Sequence, residues 1–588
     1  MDIDKATATR LAKVIKTSAL SVALCAAAMA LLSAQSQPGA QSVDARLRAL
    51  YTAEWDWRGQ EMGRGANDRF ASVDAAAQQR RLEYWTKALA TLDTIPFDQL
   101  SAEEQVNAQI FRTSLRGLVS DIQYKTYEAP FNSDTFFWTG FTPREGFANA
   151  AAYKSYLARL RDVPRYFDEQ MVNMRAGLAR GYTVPRVSVL GRDKTIEPYL
   201  KGDATNPLFV PFTDFPANMP AAEQAALREE AMTVMRDSIV PAFSKLMALM
   251  REEYLPKATA RIGASTLPEG NAFYQAQIER HTTLTLTPKE IHEIGLKEVA
   301  RIEAEMRATK DRAKFTGTMA EFFRFMRTDP QFYAKTPKEL LAFSAYVSKK
   351  ADDKLAETIG LLPRRRHGIR PVPDNIAPIY TGGRGGLDAC QMNTYNLPAR
   401  PLYTIVPLTL HECTPGHSFQ AALALEGPER PAFRRGTSFS GYGEGWGLYV
   451  EWLGTVMGIY ETPYEDMGRL TYEMWRACRL VIDTGIHQFG WTRDQALAYL
   501  RDRAPLAEHE ITTEIDRYIA WPGQALAYKL GEIQIRRHRK EAEEKLGERF
   551  DQRRFHDAIL AIGSVPLPVL EQHMNKFIAD ELAGASKQ

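Results

Sequence analysis

The stretch Leu408-Thr-Leu-His-Glu-Cys-Thr-Pro-Gly-His-Ser-Phe-Gln420 holds two histidines and a glutamate, side chains that could bind Zn²⁺ and activate a water. His411 and His417 offer neutral nitrogens, and Glu412 stands beside the first histidine, as a base does in the zinc pattern H-E-x-x-H. The spacing is two residues too long for that pattern. On an unbroken helix His411 and His417 would lie about 120° apart around the axis and about 9 Å along it. Pro415 and Gly416 predict the break that shortens this path. The proline clashes with the carbonyl of His411, the glycine tolerates backbone angles closed to other residues, and two looped-out residues would return His417 to the place of an i+4 ligand.

Two protein ligands are too few for a stable zinc site. A third is expected in Gly441-Tyr-Gly-Glu-Gly-Trp-Gly-Leu-Tyr-Val-Glu-Trp452, where Glu444 follows His417 by enough chain to finish one helix and return along another. Glu451 is the rival. It lies two turns further on the same face, about 10 Å away, so only one of the two carboxylates reaches the ion. Gly443 and Gly445 favour Glu444, which leaves Glu451 a supporting role.

His411-Glu-x-x-Pro-Gly-His417-x-x-Gln420 followed by Glu444-Gly-Trp446 resembles the signature of a bacterial family catalogued as a domain of unknown function, whose members resemble gluzincin-type zinc peptidases. More remotely it is similar to the helical oligopeptidases and carboxypeptidases related to neurolysin. The near resemblance covers most of the chain after its first residues; the remote one covers the metal site and the helical character, and the two-residue insertion departs from it. It implies a mainly α, metallopeptidase-like fold with a deep cleft, and a small β element before the metal-binding helix.

Peptide hydrolysis also needs a donor for the developing oxyanion and often a cation for a substrate carboxylate. Tyr528 is expected as the donor and Arg517 as the cation, with His487 and Tyr518 in reserve. Arg517, Tyr518 and Tyr528 flank the Pro-Gly break at Trp521-Pro-Gly-Gln524, and in the remote peptidases late tyrosines line the cleft. The expected reaction is zinc-dependent hydrolysis of short peptides, of oligopeptidase or carboxypeptidase type, with Glu412 moving the proton. The alternatives are a metal-dependent binding protein without turnover, which would not need Glu412, and a di-iron bundle, for which no second Glu-x-x-His set is evident.

The elements around these residues follow from local signals. Lys5, Arg10, Lys13 and Lys16 precede an apolar run from Ala19 to Leu32 and small residues at Ser33 and Ala34, which reads as a secretory leader over residues 1–34. The run is shorter than the ~20 residues of a membrane span. Cys25, inside it and after Leu24, is not expected to carry a lipid. The mature chain is therefore expected in the periplasm with no stable membrane anchor. Loss of the leader removes four positive and two negative charges, so the formal charge falls from +2 to 0, and nothing attracts nucleic acid. Cys390, Cys413 and Cys478 remain. They are too few for a disulfide framework, though one bond is compatible; Cys413 reads as a small buried residue in the bulge rather than a thiolate ligand.

A composition of 45% apolar and 25% charged residues suits an ordinary core. The expected division is an N-terminal helical region over 35–285 and a C-terminal catalytic region over 286–588. Ser101-Ala-Glu-Glu104, Thr287-Pro-Lys-Glu290 and Thr492-Arg-Asp-Gln495 predict helix starts, and helical spacing recurs near 72–93, 150–178 and 220–253. His292-Glu293 has no partner histidine and reads as structural. Gly382-Gly-Arg-Gly-Gly386 lacks the Lys-Ser/Thr of a phosphate loop. Leu402–Val406 is β-prone, either an edge strand for a bound peptide or a connector.

Overall fold

The computed structural model describes residues 42–65, 68–143, 145–374 and 376–584. The expected leader, with Cys25, lies outside the described residues. The chain is mainly helical: α1 (Val43–Glu61), α2 (Ala75–Asp93), α3 (Ala102–Gln123), α4 (Ala150–Arg180), α5 (Ala221–Val234), α6 (Gly270–Thr282), α7 (Pro288–Arg312) and α8 (Pro337–Thr358) precede a small sheet of β1 (Gly368–Pro371), β2 (Gly383–Arg384) and β3 (Ala389–Met392). Then follow α9 (Leu402–Glu412), α10 (His417–Glu426), α11 (Ser440–Val456), α12 (Pro463–His487), α13 (Arg493–Arg501), α14 (Glu508–Ala520), α15 (Ala527–Leu546), α16 (Gln552–Ile562) and α17 (Leu567–Ala583). No helix among the described residues is long and apolar enough to cross a membrane.

Short sequence signals account for the helix starts. Thr287, Thr336 and Thr462 each accept a hydrogen bond from the backbone N–H three residues on, and each is followed by proline at the first helical position, so α7, α8 and α12 begin alike. Thr287 with Glu290 and Thr492 with Gln495 form full capping boxes. The expected box at Ser101 is only half made. Its hydroxyl accepts from Glu104 N–H, but the Glu104 carboxylate turns to Arg48 at 2.7 Å, and Asp44 takes the Ser101 N–H at 3.0 Å. The helical stretch expected over 220–253 widens into π turns at Met235–Ile239 and Leu249–Tyr254, each just ahead of a proline, Pro241 or Pro256, that has no N–H to give the ladder.

One apolar core consists wholly of residues between Phe131 and Ala258. Another joins Leu47–Leu115 of α1–α3 to Val347–Ile578, so residues on both sides of position 285 share it. A third packs α7 and α12 around Cys390, Leu408 and Cys413. The Leu402–Val406 run, open between strand and connector on propensity, is the first turns of α9: its side chains are almost all buried among neighbouring helices, and tertiary packing overrides β-propensity. The β element is the sheet ahead of it, ordered β1-β3-β2, with β1 parallel and β2 antiparallel to β3.

Cys413 is corrected from a lone space-filling residue. It is bonded to Cys390 of β3, and both are fully buried, which fastens the end of α9 to the sheet and removes the thiolate as a metal ligand. Cys478 is the free, buried cysteine. The bond closes a loop of sequence separation 23, for which chain entropy predicts about 3 kcal/mol of stability. Urea titration of a Cys390→Ala/Cys413→Ala variant should therefore show a loss of about 2–4 kcal/mol, and an unchanged midpoint would refute the staple.

Candidate metal centre

α9 ends at Glu412 and α10 starts at His417, with a cis peptide between Thr414 and Pro415. The helical ladder runs regularly to Cys413, whose N–H donates to Thr409 C=O at 2.9 Å. It then skips: Cys413 C=O accepts from Phe419 N–H at 3.2 Å, six residues on instead of four. Two residues are thus looped out of the ladder, as the Pro-Gly pair predicts. Gly416 is required by close approach and not by a left-handed φ, since a Cβ there would lie 1.8 Å from the His411 carbonyl oxygen. Trp446 Nε1–H donates to Pro415 C=O at 2.9 Å and holds the loop against α11.

The outcome is that His411 and His417 face one point, their ring centroids 4.7 Å apart and the rings nearly perpendicular. Glu444 Oε2 lies 3.5 Å from His411 Nε2 and 3.2 Å from His417 Nε2, and one ligand atom from each of the three lies within 4.8 Å of the others. Zinc bonds of ~2.0–2.1 Å in a tetrahedron put ligand atoms about 3.4 Å apart, so two of the three edges already match. Two imidazoles and a carboxylate are a zinc donor set, and the residues fit that ion. His411 is buried, whereas the His417 and Glu444 side chains are a quarter exposed, so access is from their side.

Glu451 serves His411 from behind. Its Oε1 accepts from His411 Nδ1–H at 2.8 Å, which fixes the ring and leaves Nε2 for the ion. Arg476 stands 3.6 Å from the same carboxylate oxygen. The glycines of α11 do different work from that expected. Gly447 makes room for the His411 ring, which a Cβ would approach to 2.7 Å. Gly445 and Gly441 instead let α15 close on α11 at Gly531, which sets Tyr528, one turn earlier on α15, over His411 at 6.4 Å and nearly parallel.

Both nitrogens of His411 face carboxylates. Burial opposes its charge, but the hydrogen bonds to Glu444 and Glu451 outweigh that and raise it to about 10. Burial likewise works against the charge of Glu444, yet His417 and His411 hold it well below the usual carboxylate range.

Glu412 is placed by the sheet. Its Oε2 accepts from Gly385 N–H just beyond β2, and Ser418 Oγ, which accepts from Gly386 N–H at 3.0 Å, donates to Glu412 C=O at 2.9 Å. A Cβ on Gly385 would lie 2.5 Å from Glu412 O and from His417 Cβ. The Gly382–Gly386 cluster therefore has its use here: it lets a backbone donor reach the carboxylate. Sequence reading missed Gly385, Ser418 and Tyr380, for which the glycine cluster was the one available signal, and it had Trp446 in its motif without a role. Tyr380, raised by burial and by Glu412, stands within electrostatic reach of that carboxylate and of Arg517.

The remaining expected residues divide. Arg517 donates to Gln524 Oε1 at 3.0 Å and to the Tyr528 hydroxyl at 3.5 Å, and pairs with Glu514 at 3.5 Å, so it reaches the metal cluster through Tyr528. Tyr518 and His487 do not join it, and their reserve roles are corrected. The Tyr518 hydroxyl, buried, accepts from Trp475 Nε1 at 2.7 Å and Arg479 Nε at 2.9 Å. His487, fully buried and pushed down to about 4 by that burial, accepts from Ala264 N–H and donates to Tyr518 C=O, which uses both ring nitrogens. His292 meets Thr484 Oγ1 at 2.8 Å and is structural, as expected.

Comparison with known proteins gives four findings. The family model described as "Bacterial protein of unknown function (DUF885)" matches residues 58–574. Of solved structures, "the putative lipoprotein from Colwellia psychrerythraea" superposes with a TM-score of 0.84 at 25% identity, covering 92% of this chain and 100% of that one. "A putative lipoprotein of unknown function from Shewanella oneidensis" superposes with a TM-score of 0.69 at 19% identity, covering 91% and 100%, which shows the shared fold. A comparison with curated proteins returned no match.

Since His411 must release a proton to ligate, zinc affinity should weaken about tenfold for each pH unit lowered below about 10, with one proton released on binding; calorimetry in buffers of different ionisation enthalpy measures both. His411→Ala, His417→Ala and Glu444→Gln should lose the metal, and Glu451→Gln should weaken it by about 10–100-fold, as read by metal analysis and competitive chelation. A fully loaded His417→Ala protein would contradict the shared site.

Proposed function

We propose that this chain, which belongs to the bacterial family of unknown function DUF885, hydrolyses peptide bonds in short peptides with zinc held by His411, His417 and Glu444. The observation that carries the reading is the convergence of those three ligand atoms with Glu412 immediately beside the first of them. Bound zinc supplies Lewis acidity to a water and to a carbonyl oxygen. Everything else falls to the chain. Glu412 has one carboxylate oxygen occupied by Gly385 N–H, and its other oxygen accepts the proton of the attacking water and returns it to the leaving amine. The Tyr528 hydroxyl donates to the developing oxyanion, and Arg517 receives a substrate carboxylate. Glu451 keeps the His411 ring oriented throughout.

An exported, envelope protein is supported by two structural neighbours described as putative lipoproteins and by the Cys390–Cys413 bond, since such bonds persist in oxidising compartments. The periplasm is the finer reading. The partner is a short peptide, and a formal charge near zero after leader removal gives no attraction to nucleic acid.

Digestion of a mixed peptide pool with and without chelator, read by mass spectrometry, tests the activity. Cleavage that stops with chelator and returns with zinc is expected, whereas zinc binding without cleavage would make this a metal-dependent binding protein. Glu412→Gln should keep its zinc while turnover falls on the order of 10²–10⁴-fold. Full activity in that variant would remove Glu412 from the role.

A further inference from the structure

Beyond Tyr528 and Arg517 the molecule has a second concave site that the reaction does not use. A cavity of about 390 Å³ lies between the segment after α3, the chain around Tyr182, helix α6 and the turn at Trp521-Pro522. Phe131, Tyr182 and Phe273 form apolar walls and are each at least nine-tenths buried. Among them sits Gln277, 7% exposed, whose Nε2 makes no hydrogen bond of normal length and has only the Asp121 carboxylate, which it helps to lower, within reach; His281 Nε2 has no partner. Buried polar atoms left unpaired are costly, and two in one cavity mark the place of a polar ligand. His281 meets the Trp521 ring edge-on at 5.8 Å, and burial with Arg280 and Arg517 nearby pushes it down to about 3, so its ring is uncharged.

The charges of the cavity wall select the ligand. Arg261 and Arg280 line the cavity with a single carboxylate, Asp121, which Arg280 already engages at 3.3 Å and which burial pushes up. The excess is cationic. The site is also tied to the metal cluster: Arg517 stands 5.7 Å from the Trp521 ring on one side and 3.5 Å from the Tyr528 hydroxyl on the other, with Tyr528 over His411. That path is at most roughly 20 Å, the reach of about six residues of extended peptide.

We propose that the cavity lined by Gln277, Arg261, Arg280, His281 and Trp521 is a binding site for a carboxylate-bearing side chain of a peptide whose scissile bond lies at the metal centre. The placement of the peptide rests on the hydrolase reading; the recognition of a carboxylate does not. The carboxylate accepts from the Gln277 amide and stands against the guanidinium of Arg261, with its stem between the aromatic walls.

Acetylated, amidated hexaalanine peptides carrying a single glutamate or glutamine at each position, titrated calorimetrically into the zinc-loaded Glu412→Gln protein, test this. At the favoured position the glutamate peptide should bind at least tenfold tighter than its glutamine counterpart. The preference should vanish in Arg261→Ala added to that protein and reverse in Gln277→Glu, with unchanged zinc content reporting an intact fold. Should Gln277→Glu fail to fold, Arg261→Ala, at an exposed residue, carries the test. Equal affinities at every position, or a preference that survives Arg261→Ala, would overturn the proposal. Absence of turnover by the unsubstituted protein, with the glutamate preference intact, would overturn the hydrolase reading alone.

Discussion

The site depends on a two-residue excess being expelled from a helical ladder. A carbonyl at Cys413 that would ordinarily meet the N–H of residue 417 meets that of Phe419 instead, and this single displacement turns two imidazoles six positions apart toward one point. A loop of this kind has little stability of its own, because its backbone groups leave the ladder. It is held from three directions: Trp446 of α11 takes the Pro415 carbonyl, Cys390 of β3 holds Cys413, and the backbone beyond β2 reaches Glu412 and Ser418. The small sheet, minor in a helical protein, lies against the break between α9 and α10.

Around this centre, charge is buried only where it is answered. His411 has Glu444 on one side and Glu451 on the other, and Arg476 stands beyond Glu451. Next along α15 from Tyr528, the fully buried Lys529 meets Glu298 of α7, Glu473 of α12 and Glu532 at 2.8–3.0 Å. Each of these carboxylates has a cation against it, and alternative packings of the helices that share the network would separate the charges. The position of Tyr528 is thereby over-determined, by the glycine contact of α11 with α15 on one side and by the ion cluster on the other.

A fold built this way separates rigidity from chemistry. His411 and Glu451 are enclosed, while His417 and Glu444 keep part of their surface toward solvent. The groups that orient are dry and the groups that face an incoming molecule are accessible, an arrangement expected where a ligand must be pre-organised and still reachable.

Local signals were sufficient for what is local. Capping signals at Thr287 and Thr492 announce α7 and α13; the two histidines, Glu412 and the Pro-Gly break are legible as a candidate metal site from residue type and spacing alone. Residues 402–406 read as β-prone but became helix, because burial on all sides, and not propensity, decides there. Position in space settled the rest: that Glu444 faces both Nε2 atoms while Glu451 backs the ring, that Cys413 finds Cys390, that a glycine run serves Glu412, and that Tyr518 and His487 are consumed by interior bonds. These are meetings between residues far apart in the chain, and the periodicity of a single segment carries no information about which distant segment will pack against it.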